Sequence, residues 1–416
     1  MHHDWFLSGK YGLFIHFGLY SILGGEYNGK RTDFLSEWIM LSLDIPVKEY
    51  EKLTLQFDPV HFNADEICRK AVEWGMKYIC FTAKHHDGYA MFRSYADPYN
   101  SFDNSKCRRD FVKELADSCR KYGIVFCLYY SQAQDWHHKD GYRAYQDNSK
   151  INFRRYLDEK CIPQVKEILS NYGDIGMIWF DTSMGMTYQE SKELVNIVRS
   201  LQPNCLINGR IGNNLGDYMT TQDNHIPAYP IKKPWEIPAT LNSSWAYKHF
   251  DNDWLTPENV LQKFLNIVAR GGNYLLNIGP KGDGSIPEES VKILDTIGMW
   301  LKKSGESIYG THAINTYVYE APNLRFTHKD YELFVHVLDP HRFAGKQISL
   351  QNIANTVKQV NWIGRSDLNS DNMLRISKTL DGDPYWGLNI PENLDECMVL
   401  SAKIVTEEKD FIQKML

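Results

Sequence analysis

KYICFTAKHHDG, residues 77–88, decides the fold. Its first seven residues are almost unbroken in their apolar character, and the polar cluster His85-His86-Asp87 follows at once. A strand with one solvated face alternates apolar and polar residues. A continuous run marks a strand buried on both faces, as in a parallel sheet. Working outward, the same texture recurs in YGLFIHFG (11–18), GIVFCLYYS (123–131), DIGMIWFD (174–181), NCLINGR (204–210), PWEIPATL (234–241) and NYLLNIGP (273–280). Between these runs the pattern turns helical. Ala64, Ile67, Cys68, Ala71 and Val72 lie on one helical face behind an Asn63 cap, and Thr256-Pro257-Glu258 is a helix start. Gly75, Gly123 and Gly173 stand where helices stop.

Strand and helix alternating over about 300 residues give an α/β architecture. Polar groups recur at the C-terminal ends of many different strands: His16, His85-His86-Asp87, Tyr129-Tyr130-Ser131, Asp181, Arg210 and Glu236. A closed (β/α)8-like (TIM) barrel brings all such ends to one mouth. An open doubly wound sheet would concentrate them at one switch point and add a glycine-rich phosphate loop, and no such loop follows an early strand. Around Tyr309 the texture changes to short β-rich segments: INTYVYEA (314–321), YELFVHVLD (331–339), TVKQVNWIG (356–364), WGLNIP (386–391) and CMVLSAKIV (397–405). The expectation is a barrel over residues 1–308 followed by an antiparallel β-sandwich over 309–416.

The chain has 416 residues, 43% hydrophobic and 24% charged, with a net charge of −6 and no charge blocks. A nucleic-acid or anionic-membrane surface would want a clustered basic patch, so neither partner is expected. No run of about 18 apolar residues marks a membrane helix. The start, MHHDWFLSGKYG, does not read as a signal peptide and enters the first strand almost at once. A periplasmic, secreted or lysosomal location requires a trimmed leader; a cytoplasmic one does not. Oligomeric state is not legible. The eight cysteines form no CxxC pair, and several lie in apolar runs, where buried free thiols are the expectation. The 11 Trp, 25 Tyr and 19 Phe suit sugar rings as well as they suit a large core.

Three constellations carry chemistry. Asp181 ends GMIWFD beside Trp179 and Phe180, a place for a nucleophile or base, or for a structural acceptor. His16, His85 and His86 sit at strand ends. No HExxH-type spacing accompanies them, so neutral imidazoles bonding sugar hydroxyls fit better than zinc, and no metal or cofactor is expected. Asp223, in TTQDNHIP (220–227), and Glu236, beside Trp235, are the candidate proton donors. Glu37, Trp38, Trp136, Arg210 and Trp245 complete a set of charged hydrogen-bonders and flat aromatics.

Seven motifs then stand in order: KYGLFIHFGLYS (10–21), SEWIM (36–40), AKHHDGYAMF (83–92), RRDFVKELADSCRKYGIVFCLYYS (108–131), IWFDTSMG (178–185), WEIPATLNSSWAYK (235–248) and ARGGNYLLNIGPKGDGSIP (269–287). The set resembles the α-L-fucosidases of glycoside hydrolase family 29. That resemblance implies a retaining, exo-acting, metal-free hydrolase of terminal α-L-fucose with a fucosylated oligosaccharide or glycoconjugate as substrate. It makes Asp181 the nucleophile. It places His16, Glu37, His85, His86, Tyr130, Trp179 and Arg210 around the fucose, and Trp38 and Trp245 near its methyl group. The WE-plus-NSSWAYK arrangement resembles the subgroup that prefers α-1,3/1,4 linkages. Three departures stand out. Phe17 replaces a tryptophan, and Trp245-Ala246-Tyr247 replaces WGY. The segment that should carry the acid/base glutamate reads Thr220-Thr221-Gln222-Asp223, which leaves Asp223 or Glu236 for that role, or Gln222 at the glutamate position and no competent acid. The competing readings are a non-catalytic fucose-binding relative and a hydrolase of another α-L-sugar such as L-galactose.

Overall fold

The computed structural model describes residues 3–228, 231, 233–314, 323–351, 355–368, 371–378 and 384–409. Eight strands form one sheet: β1 (Tyr11–Ile15), β2 (Tyr78–Lys84), β3 (Val125–Ser131), β4 (Met177–Asp181), β5 (Leu206–Ile207), β6 (Met219–Thr220), β7 (Trp235–Ala239) and β8 (Asn273–Ile278). Neighbours follow chain order, and β1 pairs in parallel with both β2 and β8. The first strand thus lies beside the last, as a (β/α)8-like barrel requires. At the seam between β5 and β6 the Asp217 amide donates to the Ile207 carbonyl at 2.8 Å. The Ile207 amide returns a bond to the Asp217 carboxylate at 2.7 Å. Seven of these strands match the apolar runs; β6 does not, because Met219–Thr220 lies among polar residues, Asp217 before it and Thr221-Gln222-Asp223 after it.

Helix α1 (Asp4–Gly9) precedes β1, where the sequence suggested direct entry into the strand. Its Phe6 is buried against Tyr78 and Tyr218, ring centroids 6.3 and 4.6 Å away, and plugs the end of the barrel where β2 begins. Helices α2 (Ala64–Glu73), α3 (Phe111–Tyr122), α4 (Ile162–Ser170) and α5 (Tyr188–Leu201) follow in the chain. The expected cap forms at Asn63, whose Oδ1 accepts from the Glu66 amide at 3.1 Å. Gly123 closes α3 at φ 67°, a conformation that favours glycine. All eight cysteines are free.

The residues group into two compact units. One comprises 1–225, 233–255 and 274–295, the other 226–232, 256–273 and 296–416. The second contains two antiparallel sheets. Five strands run in the order His312–Ala313, Leu324–Lys329, Glu332–Val337, Leu400–Thr406, Val357–Trp362. Three run in the order Gln347–Gln351, Pro384–Asn389, Leu374–Lys378. Phe326, Val335, Leu350, Trp362, Trp386 and Ile404 share the core of this sandwich. Of the expected strand INTYVYEA, residues 315–321 lie outside the described set. Among the described residues no helix is long and apolar enough to cross a membrane.

Candidate active site

Strand alternation sorts the side chains. In parallel register Tyr129 lies beside Trp179, Tyr130 beside Phe180 and Ser131 beside Asp181. Tyr129, Ser131, Trp179 and Asp181 therefore share the inner face, and Tyr130 and Phe180 the outer one. The rings of Tyr129 and Trp179 stack at 5.6 Å. The Tyr129 hydroxyl donates to Asp181 Oδ2 at 2.9 Å. Tyr130 faces away: its hydroxyl donates to Gln164 of α4 at 2.8 Å, and the Lys84 ammonium lies 4.8 Å from its ring. The residue from β3 that reaches Asp181 is thus Tyr129, one position before the tyrosine chosen from the resemblance.

Asp181 ends β4 and is 8% exposed. Burial works to raise its pKa. The Arg210 guanidinium, His86 and the Tyr129 hydroxyl outweigh burial and hold the carboxyl below its ordinary value. Arg210 lies in a short 3-10 turn that follows β5. Its Nη1 donates to Asp181 Oδ1 at 3.0 Å, and its Nη2 bonds Asp223 Oδ1 and, at 3.2 Å, the Thr221 carbonyl. One guanidinium thus holds both aspartates. It also lies over the Trp179 ring, 4.8 Å from the centroid. Gln132 ties the same two residues from behind, accepting from the Asp181 amide at 2.7 Å and donating to the Arg210 carbonyl at 3.0 Å. Asp223 is half-buried. Burial raises its pKa and the charge of Asp181 adds to that, against the pull of Arg210. The adjacent Gln222 is exposed. Asp223 stands on a loop pinned to β7: the Thr221 amide donates to the Glu236 carbonyl and the Asn224 amide to the Pro238 carbonyl, both at 3.0 Å.

The three histidines meet at the same mouth. His16 and His85 have ring centroids 5.6 Å apart, and His85 and His86 4.1 Å. Burial lowers the pKa of His16 to about 4 and of His86 to about 3, and it depresses His85 as well, so all three are neutral at pH 7. Asn277 donates through Nδ2 to the Trp245 carbonyl at 2.6 Å, so its Oδ1 accepts from His16 Nδ1 at 2.7 Å. Ser131 donates to the Gln134 carbonyl at 2.9 Å and accepts from His86 Nδ1 at 2.6 Å. In both rings Nε2 is then left as an acceptor. His86 Nε2 lies 3.6 Å from Asp181 Oδ2.

Glu37 is buried, and burial pushes its pKa up to about 7. Its Oε2 accepts from the Ala246 amide at 3.0 Å. Its Oε1 and His85 Nδ1 are buried polar atoms with no hydrogen-bond partner. Such atoms are costly in a closed interior and ordinary in a binding site. Trp245 packs on His16 at 5.0 Å, and Trp38 lies 5.0 Å from His86 and 5.2 Å from Trp136.

Glu236 sits deeper. It is fully buried on β7, and three donors occupy its oxygens: Tyr78 at 2.6 Å, Trp179 Nε1 at 3.0 Å and Tyr218 at 3.1 Å. Burial raises its pKa to about 7, against those hydrogen bonds. Through Trp179 it supports the ring on which Tyr129 and Arg210 rest. Gln132, Gln134 and Asn277 are not singled out by the sequence; Tyr129 is named there only within the strand-end cluster Tyr129-Tyr130-Ser131, and the register of β3 against β4 is what picks it out. Among the described residues no group of three or more His, Cys, Asp or Glu is arranged to hold a metal ion.

The arrangement is a pocket of neutral imidazoles, aromatic faces and a guanidinium-linked carboxylate pair, suited to acid–base and nucleophilic work on a polyol. Comparison with known proteins agrees. A family profile described as Alpha-L-fucosidase matches residues 1–306. Rat plasma α-L-fucosidase is 30% identical over 334 residues, 74% of this chain and 70% of that protein. The crystal structure of the α-L-fucosidase from a Vibrio species superposes with a TM-score of 0.92 at 30% identity, covering 98% of this chain and 73% of that one. The Lactobacillus casei α-L-fucosidase in complex with α-L-fucose gives 0.69 at 38% identity, covering 73% and 99%. The chain belongs to the α-L-fucosidase family of glycoside hydrolases.

Proposed function

We propose that this protein is a retaining exo-α-L-fucosidase acting by double displacement, with Asp181 as nucleophile and Asp223 as acid/base. The observation that carries the reading is the single Arg210 guanidinium bonded to both carboxylates. A retaining enzyme needs its two carboxyl groups about 5–5.5 Å apart, and two carboxylates that share one guanidinium are neighbours of the kind that mechanism requires. Their roles divide by environment. Asp181 is buried and stays ionised through Arg210. Asp223 is partly exposed, with its pKa raised, where a leaving group and water can reach it. Glu236 has no such access.

In the first step an Asp181 oxygen bonds to the anomeric carbon as the bond to the glycosidic oxygen breaks, and Asp223 gives that oxygen its proton. In the second, Asp223 takes a proton from water, whose oxygen displaces Asp181 and releases fucose with its configuration retained. His16 and His86 accept sugar hydroxyls through Nε2. Glu37 Oε1 and His85 Nδ1 find their partners on the sugar, and Trp38 and Trp245 flank its apolar methyl side. Residues 1–308 form the catalytic domain and 309–416 an accessory sandwich. Fucose linked α-1,3 or α-1,4 in glycans is the proposed substrate. Proton NMR of an aryl α-L-fucoside digest tests the stereochemistry: α-L-fucose should appear first and mutarotate later. First appearance of β-L-fucose would sink the retaining mechanism.

A further inference from the structure

Outward from the nucleophile runs a line of rings whose exposure rises step by step. His86 faces Asp181 at 3.6 Å, and Trp38 packs on His86 at 5.0 Å. Trp38 is flanked by Trp136 at 5.2 Å, Phe34 at 5.7 Å and Tyr145 at 6.4 Å. Trp136 is 1% exposed and Trp38 is half-buried, whereas Phe34 is 46% and Tyr145 91% exposed. A tyrosine that open makes almost no contribution to a core, yet its position is built. Gln134, itself buried, accepts from the neighbouring Ala144 amide and from Trp136 Nε1, both at 3.1 Å, and donates to Thr182, the residue after Asp181, at 3.1 Å. Arg143 and Asn148 close the loop by two reciprocal bonds of 2.9 Å. Tyr145 itself is held at φ +60°, a left-handed conformation that disfavours a non-glycine residue and collects at functional sites.

We propose that Phe34, Trp38 and Tyr145 form a stacking platform for the leaving group, receiving a pyranose ring with an unbroken apolar face such as N-acetylglucosamine. The proposal rests on the exo-fucosidase reading: with fucose enclosed, the rest of the glycan must leave past the rim. Flat rings with exposed faces recognise the apolar side of a sugar and leave its hydroxyls to water.

The test compares two substrates of the full chain, a fucosyl-N-acetylglucosamine disaccharide and α-L-fucosyl fluoride, whose leaving group has no ring. Tyr145→Ala should lower kcat/KM on the disaccharide by about tenfold, the equivalent of one lost ring contact, and leave fucosyl fluoride unchanged. Tyr145→Phe should restore the disaccharide rate, and Phe34→Ala should repeat the selective loss. Equal loss on both substrates, or none on the disaccharide, overturns the platform. Wild-type protein that cleaves neither substrate overturns the fucosidase reading itself, and the platform with it.

Discussion

The mouth of the barrel and the layer beneath it each hold a buried carboxylate, and the two are treated in opposite ways. At the mouth, Asp181 lies on a guanidinium and its pKa is held down. One layer lower, Glu236 meets only neutral donors, two tyrosines and an indole, and its pKa rises to about 7. Burial is nearly the same for both; the presence of a formal charge decides the direction. A buried acid is therefore not a catalytic acid by virtue of burial. Access and the charge beside it decide the role, and by that criterion we propose Asp181 and Asp223 as the working pair.

Removing the proposed nucleophile should separate the layers most strongly. Asp181→Ala should cut turnover by about ten-thousand-fold with the circular dichroism spectrum intact. Next comes the proposed acid/base. Asp223→Ala should lose about 100- to 10,000-fold on substrates with poor leaving groups and much less on 2-chloro-4-nitrophenyl fucoside, which needs little protonation. Azide should restore turnover as fucosyl azide in Asp223→Ala. Rescue in Glu236→Ala instead would reverse the two layers.

Arg210→Met removes the charge that distinguishes the mouth. The Asp181 pKa should rise, so the acidic limb of kcat/KM should move to higher pH by about 1–3 units. An unmoved limb would mean that Arg210 does not set the ionisation of Asp181. The smallest effect belongs to the lower layer and is read in stability. The folded Glu236 pKa of about 7 exceeds its unfolded value near 4.5. Its contribution is therefore intact below pH 4.5 and lost as pH climbs through 7, by about 3 kcal/mol. Glu236→Gln cannot ionise, so its melting temperature relative to wild type should increase between pH 5 and pH 8. Parallel melting curves across that range would contradict the buried-acid description.

Much of this was readable in the chain because parallel barrel strands are buried on both faces and leave long apolar runs ending in polar residues. What escaped had no such run. Strand β6 is two residues long and set in a polar stretch, unlike the equally short β5. Helix α1 lies in a start that, by sequence, leads straight into β1. Among site residues, Asp181, Arg210 and the three histidines declared themselves at strand ends. Tyr129 and Tyr130 are adjacent and chemically identical, and only the pairing register of β3 with β4 separates them. The deep place of Glu236 was equally illegible, since a carboxylate after a tryptophan reads the same in either barrel layer. The link between Asp181 and Asp223 spans 42 positions and exists only in space, through Arg210.

Covalent trapping tests the central claim most directly. Incubation with 2-deoxy-2-fluoro-α-L-fucosyl fluoride, followed by proteolysis and mass spectrometry, should find one fluorofucosyl unit, attached to Asp181. A label on Asp223 or Glu236, or rapid turnover of α-L-fucosyl fluoride with no labelled peptide at all, would contradict it.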